Sequence, residues 1–146
     1  MNTRHFLSQL DEERIVKAIA RSERRTSGEI RVFVSRRKTR QPLEDAKARF
    51  LKLGMHRTSE RNAVLIYLAP RAQSFAIVGD TAVHARCGDA FWQSLTAAMS
   101  ESLKREHFTE ALVQAVEKCG ELLAEHFPRS RHDEGPNQLP DDIGKD

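Results

Sequence analysis

Acidic residues at the ends of predicted strands are the first candidates for chemistry in this sequence. Glu29 opens the first predicted strand, Asp80 closes the third, and Asp89 lies shortly before the helix that contains Phe91 and Trp92. Hairpin geometry brings Glu29 and Asp80 toward one edge of the sheet. Clustered carboxylates supply the oxygen ligands that Ca²⁺ or Mg²⁺ prefers. The pattern therefore predicts a divalent-cation site formed by Glu29, Asp80 and Asp89.

The same acidic residues also have a purely structural interpretation. Asp89 is placed to cap the helix that follows it, and Asp80 is placed to hydrogen-bond a turn. Short polar side chains at the ends of helices and strands usually bond the backbone. Arg31 or Arg61 could neutralise the carboxylates. The sequence leaves both interpretations open, a cation site and a set of backbone caps.

A second group of candidate residues is basic and lies at the opposite end of the predicted sheet. Its members follow the first strand or occupy the hairpin turn: Arg36, Arg37, Lys38, Arg40 and Arg71. Ligands of open α/β sheets bind beyond the carboxyl ends of the parallel strands, and a helix N-terminus there favours anions. The pattern predicts a surface for a phosphate-bearing or acidic partner. A flexible basic loop that only promotes solubility would have the same composition.

Known catalytic motifs are absent from the sequence. It has no Gly-rich dinucleotide fingerprint, phosphate-binding loop, His-Glu-x-x-His pair or Gly-x-Ser-x-Gly elbow. His84 and Cys87 form a single His-x-x-Cys, but zinc usually takes three or four protein ligands and no partner pair is evident. We therefore expect no organic cofactor, and the sequence identifies no catalytic residue.

Hydrophobic periodicity predicts the helices that must position these residues. Apolar residues recur at helical spacing in four segments, one before Gly28, one after Pro42 and two after Gly88. The first helix is expected to end at Gly28, because a residue without Cβ adopts the left-handed turn at little cost. Residues 129–146 show no periodic pattern, so we expect a disordered tail there.

Three segments are predicted to form strands. Residues 29–36 alternate, and residues 63–69 are an unbroken apolar run, typical of a central strand that is covered on both faces. After Pro70, residues 74–79 return as an antiparallel strand, while the earlier strand–helix–strand order implies a parallel pair. The predicted fold is a three-layer α/β/α sandwich on a small mixed sheet. Its order is α-β-α-β-β-α-α, with residues 1–128 as a single domain.

The charge distribution limits the class of partner. Residues 1–58 carry 15 Lys and Arg against 7 Asp and Glu, a net of +8, whereas residues 59–146 carry 9 against 14, a net of −5. Such an asymmetry can steer acidic partners toward one end of the molecule. The basic half has few aromatic residues to stack on bases and no known nucleic-acid-binding motif, so we do not expect nucleic acid as a partner.

Cysteine content and hydropathy indicate the compartment. Cys87 and Cys119 form no metal or redox spacing, and two isolated thiols favour a reducing environment. No segment reaches the ~20 apolar residues of a membrane helix. Residues 1–14 lack the apolar core of a signal peptide. We therefore expect a cytoplasmic protein without a membrane span. We also expect a monomer that acts through an unidentified protein partner.

Short motifs spread over most of the chain resemble those of the TPM domain family. They are Glu23-x-x-Thr26-x-Gly28-Glu29-Ile30-x-Val32, the apolar run 64–68, Val78-Gly79-Asp80, Phe91-Trp92 and His126-Phe127-Pro128. The resemblance covers about residues 6–128. That family includes thylakoid proteins linked to photosystem II repair and many bacterial envelope proteins.

The resemblance implies an α/β/α sandwich, with acid phosphatase activity or calcium binding of the kind assigned to some members. Glu29 and Asp80 match acidic positions of the family pattern, whereas Asp89 is added from its position alone. The chain has no nucleophile with an adjacent base, so we expect a TPM-type binding or regulatory module that acts through protein partners, with Ca²⁺ or Mg²⁺ as a candidate ligand. The alternative is a metal-assisted phosphatase acting on phosphomonoesters.

Overall fold

A computed structural model describes residues 1–129 and 141–146 of the chain. In chain order its elements are α1 (Thr3–Ser8), α2 (Glu12–Glu23), β1 (Glu29–Val34), α3 (Pro42–Lys52), β2 (Ala63–Ala69), β3 (Ser74–Gly79), α4 (Thr81–Lys104), α5 (Phe108–His126) and β4 (Gly144–Lys145). Short 3-10 turns, Met55–Arg57 and Pro70–Ala72, precede and follow β2. The predicted order is confirmed from α2 to α5, with α1 added before it and β4 after it.

A mixed sheet in the order β3-β2-β1-β4 forms the middle layer. β1 and β2 are parallel, with Glu29 opposite Ala63 at their first residues. β2 and β3 form an antiparallel hairpin in which Val64 lies opposite Gly79. Both pairings confirm the prediction. Every residue of β2 is buried, as expected for a central strand with helices on both faces.

Helices pack on both faces of the sheet, which confirms the three layers. Ile30 and Val32 of β1 belong to the larger core, which also contains residues of α2, α4 and α5. Phe33 and Leu65 belong to a smaller core on the other face, which α3 covers with Phe50. The alternation of β1 side chains between two cores follows from the two-residue period of a strand.

The last residues of the chain differ from the predicted disordered tail. β4 pairs in parallel with Phe33 and Val34 of β1, and Ile143 is buried in the larger core. The prediction is therefore wrong for residues 141–146, because a two-residue strand is too short to produce a periodic pattern. The remainder of the predicted tail, residues 130–140, lies outside the described residues.

Gly28 does not end α2 as predicted. The helix ends at Glu23, and the C-cap residue Arg24 keeps right-handed helical backbone angles. A Cβ atom at Gly28 would lie 3.0 Å from the Asn62 carbonyl oxygen and 3.0 Å from Leu123 Cδ1. Gly28 is therefore required by the close approach of neighbouring segments, not by a left-handed helix end.

α4 is the longest helix and begins earlier than predicted. It starts at Thr81, directly after β3, and Gly88, with a φ of 71°, bends it internally instead of lying in a loop before it. Glycine adopts this positive φ readily because it has no Cβ. Neither α4 nor any other helix in the described part of the chain is long and apolar enough to cross a membrane.

Candidate functional site

Asp80, at the end of β3, is bound by an arginine and by the backbone. Arg61 donates from Nε to Asp80 Oδ2 at 2.8 Å and from Nη2 to Oδ1 at 3.0 Å, which makes a bidentate ion pair. Oδ1 also accepts a hydrogen bond from the Thr81 N–H at 2.7 Å and so caps α4. Asp80 is only 5% exposed. Both of its carboxylate oxygens are therefore already used.

Arg61 is positioned for this contact by an uncommon backbone conformation. Its φ is 54°, in the left-handed region that non-glycine residues seldom adopt. Its carbonyl oxygen accepts a hydrogen bond from the Ala82 N–H at 3.2 Å, and its own N–H donates to the Thr58 carbonyl at 3.3 Å. Arg61 thus binds the start of α4 through both its backbone and its side chain. Hydrogen bonding to Asp80 also raises the pKa of the Arg61 guanidinium.

Glu29 and Asp89 do not complete a cation site with Asp80. Glu29 lies at the same edge of the sheet as Asp80, as expected, but β2 separates their two strands. Glu29 is buried, whereas Asp89 is exposed on α4 just after the bend at Gly88. Among the described residues, no group of three or more His, Cys, Asp or Glu side chains is placed to hold a metal ion. The geometry therefore does not support the predicted Ca²⁺ or Mg²⁺ site.

A buried carboxyl group that the sequence analysis named only as part of the TPM motif, and not as a site residue, lies beside β1. Glu23, the last residue of α2, is 1% exposed, and its Oε2 accepts a hydrogen bond from the Ile30 N–H at 2.9 Å. Burial, reinforced by a side-chain hydrogen bond with Asp141, raises the pKa of Glu23 to about 10. Glu23 therefore binds a proton more tightly in the folded chain than an exposed glutamate does. Its place as the first residue of the TPM motif was the available indication in the sequence.

The predicted anion-binding residues lie together beyond the carboxyl ends of β1 and β2. We call this surface the basic rim; it consists of the exposed residues Arg36, Arg37, Lys38, Arg40 and Arg71. Arg71 Nη1 donates to the Arg36 carbonyl oxygen at 3.4 Å. Lys38, Arg40 and Arg71 line one open groove of about 550 Å³. The loop after β1 and the hairpin turn therefore form one surface, as the topology predicted.

Most of the charge on the basic rim has no carboxylate partner in the described part of the chain. Arg37 lies 3.9 Å from Asp45, the only carboxylate within 4.0 Å of a basic-rim cation among residues 1–129 and 141–146. Cations on α2 and α5 differ, since each of three has an acidic partner within that distance: Lys17, Arg21 and Lys118. The basic rim is therefore a local excess of positive charge.

The side chain of Asp146 binds next to the basic rim. Its Oδ1 accepts a hydrogen bond from the Arg36 N–H at 2.8 Å, and its Oδ2 accepts one from the Ser35 hydroxyl at 2.5 Å. Arg49 Nη2 lies 4.0 Å from Oδ2, and the same guanidinium lies 4.5 Å from the centre of the Phe33 ring. A hydroxyl, a backbone N–H and a guanidinium together form a carboxylate site. Sequence reasoning missed it, because the last residues were expected to be disordered.

These features define an α/β sandwich on a mixed sheet. Charged residues lie at both ends of its strands, and the sequence has no known catalytic motif. The match of the TPM domain model to residues 1–122 shows that the chain belongs to the TPM domain family, which confirms the resemblance. The NMR structure of the BA42 protein from the psychrophilic bacterium Bizionia argentinensis is similar, with 36% identity and a TM-score of 0.84 over 92% of each chain.

A second solved structure is more distant. The N-terminal domain of the cg2496 protein from Corynebacterium glutamicum has 20% identity and a TM-score of 0.60, over 81% of this chain and 74% of that one. At this identity the similarity shows the fold alone. No protein of curated function matches the chain.

Proposed function

We propose that this chain is a TPM-type binding module that engages an acidic segment of a protein partner through the basic rim. The observation that carries the proposal is the exposure of Arg36, Lys38, Arg40 and Arg71 on one surface, without a carboxylate within 4.0 Å in the described residues. A local excess of one charge attracts partners of the opposite charge and speeds their association. The surface also lies at the sheet edge where ligands of open α/β sheets bind.

The carboxylate site of Asp146 supports this proposal from within the chain. Hydrogen bonds to charged acceptors are shorter and stronger than neutral ones, and guanidinium groups suit carboxylates. The Ser35 hydroxyl and the Arg36 N–H are fixed at the end of a buried strand, so they need no reordering to bind an acid. The site is occupied by Asp146, so an acidic partner would bind the exposed cations around it or take the place of the Asp146 carboxylate.

The alternative function, a metal-assisted phosphatase, has weaker geometric support. Glu29 and Asp80 would have to hold the cation and its attacking water, yet Asp80 is paired with Arg61 and caps α4. The basic rim, which could bind a phosphate, lies at the other end of β2. That strand has seven residues, so the two groups are about 20 Å apart at roughly 3.3 Å per residue.

An acidic peptide tests the proposed function directly. We would measure binding of an octaglutamate peptide by fluorescence anisotropy, to the wild-type chain and to a triple variant with Arg36→Gln, Arg37→Gln and Lys38→Gln. We expect binding to weaken about ten-fold, since three lost charge contacts at roughly 0.5 kcal/mol each correspond to that factor. The melting temperature should stay unchanged, because these side chains are exposed.

The matched control removes the same charge from a different surface. Lys17→Gln, Arg21→Gln and Lys118→Gln together also remove three positive charges, from α2 and α5, where each cation has an acidic partner. Equal weakening by both triple variants would show that net charge, not the basic rim, determines binding. Tighter binding of a single-stranded oligonucleotide than of octaglutamate would also contradict the proposal.

We also propose that the module acts as a cytoplasmic monomer. Cys87 and Cys119 are both free thiols, which suits a reducing compartment. Cys119 is fully buried on α5, and burial raises its pKa to about 12, so it stays protonated and unreactive. Sedimentation velocity should give a single species of about the chain mass of 16.6 kDa. A dimer at micromolar concentration would contradict this part of the proposal.

A further inference from the structure

The outer edge of β1 is covered by the chain's own residues 141–146, and we infer that this edge is a groove for an extended peptide of the same chemistry. The β1 groove is formed by Glu23, Ile30, Phe33, Val34, Ser35 and Arg36. The edge of a sheet presents backbone groups that pair readily with an added strand. The inference rests on the proposed function, because it specifies the acidic segment that would reach the basic rim.

Residues 141–146 contact the β1 groove along its whole length. At one end, the Glu23 side chain shares a hydrogen bond with the Asp141 side chain. In the middle, β4 adds to β1 as a parallel strand. At the other end, Asp146 accepts hydrogen bonds from Ser35 and Arg36. The acidic side chains at the two ends therefore set the register of the segment, and the parallel pairing of β4 with β1 sets its direction.

Ile143 and Gly144, in the middle of residues 141–146, limit which side chains fit the β1 groove. Ile143 is buried in the larger core. A Cβ atom at Gly144 would lie only 2.7 Å from Phe33 Cδ2, which is closer than real contacts allow, so only glycine can pass this ring. Lys145 pairs with Glu12 at 2.9 Å, but both side chains are about half exposed and contribute little. The recognised pattern is therefore Ile-Gly-x-Asp in an extended conformation.

Few backbone hydrogen bonds attach residues 141–146 to β1, so another peptide segment can replace them. β4 has only two residues, and each hydrogen bond contributes roughly 0.5–1.5 kcal/mol net. Covalent attachment gives the segment an effective concentration of about millimolar, which favours it over a free peptide of equal affinity. The TPM domain match ends at residue 122, so the β1 groove lies inside the family part of the chain and its occupant outside it. A partner segment with the same pattern would compete for the groove.

Gly144→Ala in the full chain tests this inference. The added Cβ should expel residues 141–146 and leave the groove itself unchanged. A fluorescent hexapeptide with the sequence of residues 141–146, Asp-Asp-Ile-Gly-Lys-Asp, should bind the variant at least about ten-fold more tightly than the wild-type chain, where the attached segment competes. The same peptide with alanine in place of its glycine should bind neither protein. Lys145→Ala is the matched control and should behave as wild type.

Asp146→Lys provides a second way to open the groove. It places a cation beside Arg49 and the Arg36 N–H, so the segment should detach without any change at Gly144. Amide NMR signals of Ile143 should move toward random-coil values in both variants. Unchanged Ile143 signals, or equal hexapeptide affinity for variant and wild-type chains, would overturn the inference. A dimer formed by exchange of the segment would overturn it too, by making a second copy the occupant.

Failure of this inference is distinguishable from failure of the proposed function. Octaglutamate binding that is about ten-fold weaker in the basic-rim triple variant supports the proposed function, whether or not the hexapeptide binds. If octaglutamate binds and the hexapeptide does not bind the Gly144→Ala chain, the β1 groove is overturned and the basic rim stands. If octaglutamate binding is the same in the triple variant, the proposed function fails.

Discussion

Asp80 is the residue at which a structural role and a cation-binding role predict opposite results. Its carboxylate caps α4 through the Thr81 N–H and pairs with Arg61. Losing an aspartate cap costs about 1 kcal/mol. The lost ion pair adds less, since the Arg61 side chain is 48% exposed and water screens the interaction. Each 1 kcal/mol lowers the melting temperature of a chain of this size by roughly 2–4 °C, so we expect Asp80→Ala to melt lower by at least that amount.

Asp80→Asn separates the cap from the charge, because asparagine keeps a capping oxygen and loses the negative charge. Melting temperatures from thermal unfolding should fall in the order wild type, Asp80→Asn, Asp80→Ala. Millimolar Ca²⁺ or Mg²⁺ should leave all three unchanged, because Arg61 and Thr81 already bind both carboxylate oxygens. A Ca²⁺-dependent rise in the wild-type melting temperature that is absent in Asp80→Ala would refute this reasoning, since ligands stabilise the state that binds them.

Two further predictions concern the contacts of α2. Burial raises the pKa of Glu23 above its ordinary value, so its contribution to stability is fully present below about pH 4.5 and is lost as pH rises toward about 10. The free energy of unfolding in urea should therefore be the same for Glu23→Gln and the wild type near pH 5, and higher for Glu23→Gln near pH 9. A parallel pH dependence of the two free energies would show that Glu23 is not protonated in the folded state. At Gly120 of α5, a Cβ would lie 2.5 Å from Ser22 Cβ, so Gly120→Ala should lower the free energy of unfolding by about 1–3 kcal/mol. Adding Ser22→Gly should restore part of that loss. A double variant no more stable than Gly120→Ala would contradict this contact.

The strands and most helices could be predicted from the sequence because their patterns are local. The unbroken apolar run 63–69 predicted a central strand, and the structure buries every residue of it. A helix was expected after Pro42, and Pro42 itself is the first residue of α3, where its fixed φ suits the first turn. The two-residue strand β4 depends on pairing with β1, which is distant in sequence, so no local pattern could reveal it. Gly88 was a local indication of a break, but not of a bend inside one continuous helix.

The sequence predicted where the candidate sites lie better than it predicted which residues contact each other there. The strand order alone predicted that the basic rim forms one surface and that Asp80 lies at the opposite end of the strands. The sequence offered Arg31 or Arg61 as a partner for the carboxylates, and the pairing of Arg61 with Asp80 depends on the left-handed backbone of Arg61, which its sequence neighbours do not indicate. The burial of Glu23 and the carboxylate site of Asp146 require residues 141–146 to return to β1, and no sequence pattern specified that return.

The central claim, that the basic rim binds acidic protein segments, is tested most directly by the salt dependence of octaglutamate affinity. Raising NaCl from about 50 to about 300 mM should weaken binding to the wild-type chain and to the Lys17, Arg21 and Lys118 triple variant alike, because exposed charges are screened over this range. The triple variant at Arg36, Arg37 and Lys38 should bind weakly at both concentrations. Affinity that is insensitive to salt, or equal in the two triple variants, would contradict the account.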